Sequence, residues 1–437
     1  MLTTLKNAFK IKDIRKKIFF TLAMLVVIRI GSQLPVPGVD RTYFSRWFAA
    51  QTGDALNFLD AVTGGSFLNM SILALNISPY ITSSIIMQLL TIAIPALEEM
   101  QKDGEDGRKK IAAISRYVTV LLALIQSTAM AIGFGNQGLL VEYNALNVIT
   151  CIAALTAGSS FVMWIGERIT ENGIGNGISV VLVINIISRL PQDLSQLFNQ
   201  FVIGKAPATA ILAAVIIIGI IILMVVLVII LNAGTRKIPV QYAKKMQGRK
   251  MVGGQTSNIP LKINTSGVIP VIFASTLMQT PLIVSSLFGY KGTGVWSKIM
   301  MYLDSGNWCN PKQPIYSIGL LVYALLVIFF AYFYTSITFN PMMVADNLKK
   351  QGGFIPGIRP GKPTTEYLNN VLNYIIFIGA VGLLIICVLP FVFNGVFNAN
   401  VSFAGTSLII IVSVVLETVK QIESQMLVRN YKGFLND

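Results

Sequence analysis

Apolar runs recur along the chain, separated by short polar connections rich in Gly and Pro. A helix needs about 20 consecutive apolar residues to cross the hydrocarbon core of a bilayer. Ten runs meet that pattern and predict spans at 18–34, 72–94, 117–135, 146–166, 174–190, 209–231, 266–287, 315–338, 371–393 and 403–427. The run 174–190 is short and leans on its neighbours. One stretch does not fit. DALNFLDAVTGGSFLNM, residues 54–70, carries Asp60 and the helix breaker Gly64–Gly65, and a full span containing Pro79 follows it at once. A half-length segment before a full one predicts either backbone that dips back into the protein or an amphipathic helix lying on the outer surface. The residues themselves leave both open. Five spans, a long basic loop and five more spans suggest an inverted repeat with antiparallel halves.

Composition turns this pattern into a class. The chain is 54% hydrophobic and 12% charged, with a mean hydropathy of +0.68. A soluble domain carries about 25% charged residues, so the chain reads as a polytopic membrane protein. Orientation follows from Lys and Arg in the connections. One side holds 26 of the 34, the other holds seven (Arg41, Arg46, Arg189, Lys205, Lys291, Lys298 and Lys312), and Arg29 lies near the outer end of the first span, where it can snorkel. This split predicts that both termini and the large basic loops are cytosolic. The start, MLTTLKNAFKIKDIRKKIFF, lacks the short apolar core and cleavage site of a signal peptide and reads as a basic amphipathic lead-in.

Several chemistries drop out. With no His, the commonest general base and metal ligand is missing, and Cys151, Cys309 and Cys387 have no metal or redox spacing. No catalytic residue, metal or cofactor is expected. Only Glu417 falls near the centre of a predicted span (403–427), and no second carboxylate stands with it there, which argues against an ion-coupled solute carrier and an intramembrane aspartyl protease. NGIGNGIS, 172–179, is G-x-G-x-G at the start of a span and reads as a tight turn entering a helix. GRKMVGGQ, 248–255, lacks the Gly-Lys-Ser/Thr of a phosphate loop. Any energy source therefore belongs to a partner.

Two loops on the basic side stand out. In 235–264, Arg236, Lys237, Lys244, Lys245, Arg249 and Lys250 alternate with Tyr242 and Met246, at a spacing that suits a protruding hairpin. Such a protrusion can meet anionic lipid, RNA phosphates or an acidic protein surface. GGFIPGIRPGKPTTEYL, 352–368, carries Arg359 and Lys362 among prolines and glycines that favour turns.

Seven blocks in order resemble the SecY family of bacterial protein-conducting channels: RIGSQLPVPGVD (29–40), SPYITSSIIMQLL (78–90), GRKKIAAISRY (107–117), GERITENGIGNGIS (166–179), QYAKKMQGRK (241–250), FNPMMVADNLKKQGGFIPGIRPGKPT (339–364) and FAGTSLIIIV (403–412). The resemblance covers nearly the whole chain. It implies an all-α integral membrane protein of ten transmembrane helices in two pseudo-symmetric five-helix halves with a short re-entrant plug helix. On this reading residues 1–17 form an N-terminal cytosolic segment, 18–190 the first half, 191–208 an external hinge, 209–427 the second half and 428–437 a cytosolic tail. The family's constriction ring maps onto Ile77, Ile81, Ile178, Leu182, Ile272 and Ile410. Its plug maps onto 56–70, with Asn57, Phe58, Leu59, Asp60, Gly64, Gly65, Phe67 and Leu68, and Asn69 and Asn76 are polar choices near the plug hinge that would weaken closure. The basic residues of 235–264 and Arg359 with Lys362 map onto the dock for the SecA ATPase and the ribosome, where contact with ribosomal RNA is possible. The implied partners are SecE, SecG, SecA, the ribosome, anionic lipids and signal-bearing polypeptides, in the bacterial plasma membrane. Three other readings stand beside it: a paralogue dedicated to accessory secretion, a small-solute carrier, and a docking receptor without a working pore.

Overall fold

The computed structural model describes residues 8–50, 60, 63–203, 207–242, 245–247, 250–252, 256–287, 294–309, 313–397 and 405–433. Its helices are α1 (Lys12–Gly31), α2 (Arg41–Ala50), α3 (Ser78–Ala93), α4 (Pro95–Lys102), α5 (Glu105–Phe134), α6 (Ala145–Asn172), α7 (Gly177–Phe201), α8 (Pro207–Ala233), α9 (Ile269–Leu287), α10 (Val295–Leu303), α11 (Ile318–Thr338), α12 (Pro341–Lys350), α13 (Lys362–Phe397) and α14 (Gly405–Gly433). Among the described residues, six helices are long and apolar enough to cross a membrane, or seven if α3 and α4, bent by 105° at their junction, count as one broken span. The remaining predicted spans coincide with α1, α9 and α14.

Two boundaries move. The run predicted to start at 72 becomes helical only at Ser78, because residues 64–76 are taken up by turns and Pro79 sits in the first helical turn, where its missing N–H costs nothing. In contrast, α7 runs through Pro191 to Phe201, so most of the segment read as an external hinge is helix. A proline is tolerated here because helices in membranes satisfy the freed backbone through neighbours. The glycine turn before α7 is as expected: the Asn176 side chain accepts hydrogen bonds from the N–H groups of Ile178 (3.2 Å) and Ser179 (3.5 Å), capping the helix.

Three apolar clusters organise the interior. One lies within residues 36–155 and centres on Phe44, Phe67, Met70, Phe134 and Leu155. A second lies within 220–412 and centres on Val228, Val271, Tyr323, Leu383 and Ile409. The third joins them: α1, α3, α6 and α7 meet α9 and α14 through Ile28, Ile165, Val181, Leu182 and Ile410. In a bilayer, burial against protein gains little over burial against lipid tails, so close packing must hold the helices together. Gly177 shows how close that packing is. A Cβ added there would lie 1.9 Å from the Gly166 carbonyl oxygen of α6. Gly177→Val is expected to push α7 off α6 and cost about 3 kcal/mol, the upper end of ordinary overpacking; a lowered thermal midpoint of the purified protein in detergent would register it.

The chain is not helical throughout. Beside the helices stands a three-stranded antiparallel sheet in the order β4–β1–β5, made of β1 (Thr235–Tyr242), β4 (Thr256–Lys262) and β5 (Gly353–Phe354). Thr235 pairs with Lys262 and Gln241 with Thr256, which confirms the hairpin, and its outer part continues as β2 (Lys245–Gln247) paired with β3 (Lys250–Val252). Ile238, Val240 and Leu261 turn inward onto Ala345 and Leu348 of α12 and Leu368, Val371 and Ile375 of α13, giving the sheet its own core.

Candidate functional site

The six residues mapped to the ring come from four elements that are remote in sequence. Ile77 is the residue immediately before α3 and Ile81 lies one turn into it, Ile178 and Leu182 lie one turn apart on α7, Ile272 is on α9 and Ile410 on α14. All six belong to the joining cluster: Ile77, Leu182 and Ile410 are buried, while Ile81, Ile178 and Ile272 are half-buried against it. The i, i+4 spacing on α3 and α7 puts each pair on one helix face. All six are branched aliphatic side chains of that one cluster, and none of them is charged.

Of the plug segment, Asp60 and residues 63–70 are described; Asn57, Phe58 and Leu59 lie outside the described residues. The segment does not lie on the surface. Asp60 and Ser66 are fully buried, and Phe67 packs edge-on against Phe44 at 5.6 Å. Of the two readings left open by the residues, the backbone that dips back into the protein is the one observed. Gly64 and Gly65 both take positive φ, +67° and +82°, in the turn. Gly64 also approaches α7 so closely that a Cβ would lie 2.8 Å from the Asn185 carbonyl oxygen, so only glycine fits on both counts.

Charge holds this turn, and the arginines that meet Asp60 and the turn were not assigned to it from sequence. Asp60 accepts a hydrogen bond from the Leu68 N–H (2.8 Å) and forms an ion pair with Arg189 of α7. Arg189 also faces Asp193, one turn on, at 3.7 Å. Arg29 of α1 donates to the Gly64 carbonyl at 3.2 Å. Arg189 is therefore a buried helix residue rather than an outer-loop charge, and Arg29 points at the plug turn rather than snorkelling. The sequence carried one signal for this, a carboxylate in an apolar half-segment, which requires a partner. Asn76, expected to weaken closure, instead donates to the Thr63 carbonyl (3.4 Å), while Ser159 of α6 donates to the Asn76 carbonyl (3.0 Å).

The two basic loops form one surface. β5 hydrogen-bonds to β1, with Gln241 opposite Phe354 and Tyr242 opposite Gly353, so the loop bearing Arg359 is stitched to the hairpin. Arg359 and Lys362 are exposed, as are Arg236 and Lys237. The Thr364 hydroxyl donates to the Arg359 carbonyl at 2.8 Å, and Ile355 is buried beneath, so the backbone is held while the guanidinium projects. Lys244 and Arg249 lie outside the described residues; Lys245 and Lys250 stand in the outer strand pair.

A chain of polar contacts runs from the end of this sheet to α14. Asn264, just past β4, donates to Asn232 at the end of α8 (2.8 Å), and Asn232 donates to Ser413 (2.8 Å), which lies three residues beyond Ile410 on α14.

Comparisons with known proteins agree with this architecture. The family model SecY matches residues 71–419. The chain is 42% identical to the protein translocase subunit SecY of Halalkalibacterium halodurans, with 100% of both chains covered. It is also similar to a solved protein-conducting channel, with a TM-score of 0.65 at 19% identity over 94% of this chain and 93% of that one. A second similar structure is Sec61 in a canine ribosome-channel complex from the endoplasmic reticulum, with a TM-score of 0.64 at 17% identity and coverage of 94% and 93%. The chain is a multi-pass membrane protein and belongs to the SecY family of protein-conducting channels.

Proposed function

We propose that this chain passes unfolded, signal-bearing polypeptides across the bacterial plasma membrane, or releases apolar segments sideways into it, as a passive channel without catalysis of its own. The observation that carries this reading is the uncharged aliphatic cluster, to which four elements contribute the six residues and which we read as a collar at the seam of two separately packed halves. Branched aliphatic walls resist wetting and ion passage, and with no charged group they offer a sliding chain nothing to bind. The plug turn packs against the same α7 that carries two of the six collar residues, which suits a stopper for the idle state.

The halves on this reading comprise residues 18–190 and 209–427, joined by the continuation of α7, with both termini and the sheet in the cytosol. SecA or the ribosome docks on the sheet and Arg359 and supplies the drive, since no nucleotide motif is present in the chain. SecE clamps the halves and SecG lies peripherally, and anionic lipid meets the basic side. A small-solute carrier is disfavoured by the uncharged collar.

The test is reconstitution of the chain with SecE and SecG in liposomes, with SecA, ATP and an unfolded signal-bearing protein added outside. Protection of that protein from protease is expected only with ATP. Absence of protection from a folded complex that binds SecA would favour a channel reserved for few substrates.

A further inference from the structure

We infer that Arg189 is a partner-exchanging latch, holding the plug through Asp60 when the channel is idle and passing to Asp193 when the plug leaves. The inference deepens the channel reading given above and rests on it.

The seat of the plug is almost dry. Asp60 is fully buried, Asp193 is 4% exposed and Arg189 8% exposed. A buried charge that loses its partner is costly, so an ion pair in such a place resists separation. If Asp60 were the sole carboxylate near Arg189, withdrawing the plug would strand a guanidinium inside the protein. Asp193 removes that obstacle. It lies on the same helix, one turn away, and its Oδ1 is already 3.7 Å from Arg189 Nε, so it stays with α7 when Asp60 departs. Arg189 thus already pairs with Asp193 beside Asp60, and that contact remains when Asp60 leaves. The charge is compensated in both positions of the plug, and the barrier between them is lowered.

The rest of the seat is balanced in the same sense. Arg29 adds a second guanidinium contact, to the Gly64 carbonyl. Against it, Asn185 of α7, whose backbone Gly64 touches, is fully buried with neither side-chain amide atom hydrogen-bonded. An unsatisfied buried amide disfavours the state that contains it. The closed seat thus combines charged holds with one uncompensated polar group, an arrangement suited to a stopper that must come out.

Two substitutions separate this latch from ordinary packing because their effects have opposite signs. Asp60→Asn keeps an oxygen for the Leu68 N–H but removes the charge that holds Arg189. Asp193→Asn removes the second partner and leaves Arg189 committed to the plug. Each variant and the parent chain, in complex with SecE and SecG, would be placed in lipid nanodiscs for amide hydrogen exchange over residues 63–71, and in planar bilayers for ion conductance without substrate. Asp60→Asn is expected to speed exchange and raise conductance by about tenfold, the factor that corresponds to about 1.4 kcal/mol, and Asp193→Asn to lower both. Acceleration by both variants would reduce the cluster to structural packing and overturn the exchange of partners. Unchanged plug exchange in Asp60→Asn would overturn the latch altogether. Opposite shifts in exchange together with failure of the parent complex to translocate would leave the latch standing and overturn the channel reading instead.

Discussion

Arg359→Glu is expected to abolish most SecA-driven translocation while leaving the folded protein in place. The arginine makes no side-chain hydrogen bond or ion pair among the described residues, and its backbone is fixed by the Thr364 hydroxyl and by Ile355 beneath. The substitution therefore removes no internal contact. What it removes is a planar, permanently charged fork suited to a carboxylate or an RNA phosphate, on a loop already ordered and so with little entropy to lose on binding. Central arginines of this kind cost about 2 kcal/mol or more when lost from an interface, and a reversed charge adds repulsion, so affinity for SecA should fall by at least about thirtyfold. The measurement is SecA binding to proteoliposomes beside the thermal midpoint of the complex. A fall in both together would make Arg359 a structural residue.

Ile81→Gly combined with Ile410→Gly is expected to produce the largest rise in resting conductance of any pair in the collar. The two residues lie on different helices, α3 and α14, remote in sequence, and both belong to the cluster that joins the two halves of the interior. Each substitution removes a four-carbon side chain and leaves no polar group behind. Glycine also loosens its helix by about 1 kcal/mol relative to alanine, so Ile81→Ala with Ile410→Ala is the control for backbone effects. A widened collar ceases to exclude water, and conductance should rise by about an order of magnitude or more because dewetting is lost steeply with radius. Conductance equal to the parent's in both pairs would place the seal elsewhere, in the plug alone.

The spans were legible because twenty apolar residues in a row have one physical use, and the charge asymmetry of their connections was equally plain. Their ends were less so. The span expected to end at 190 continues through Pro191 as α7, because a proline's lost hydrogen bond is made good by surroundings that a sequence does not display. The hairpin of 235–262 was visible in its spacing, but its union with Gly353–Phe354 was not, since two residues with no alternation give no strand signal. The collar is the clearest case. Ile81 and Ile272 are indistinguishable from lipid-facing residues until the helices that bear them are assembled, and here the resemblance to a family supplied what periodicity does not. Arg189 was misplaced for a related reason: a lone cation at the end of an apolar run looks like the start of a loop, and its partner Asp60 lies more than a hundred residues away.

The three-stranded sheet has a mechanical consequence. β1 grows directly from α8, β4 leads into α9, and β5 stands between α12 and α13. A load applied at Arg359 is therefore shared at once by four helices, all of the second half. Among the described residues, no strand of that sheet belongs to the first half. On the proposed reading, a motor pressing on this handle would load those helices together, and torque, unlike a pull on a single loop, would open the joint where the two halves meet.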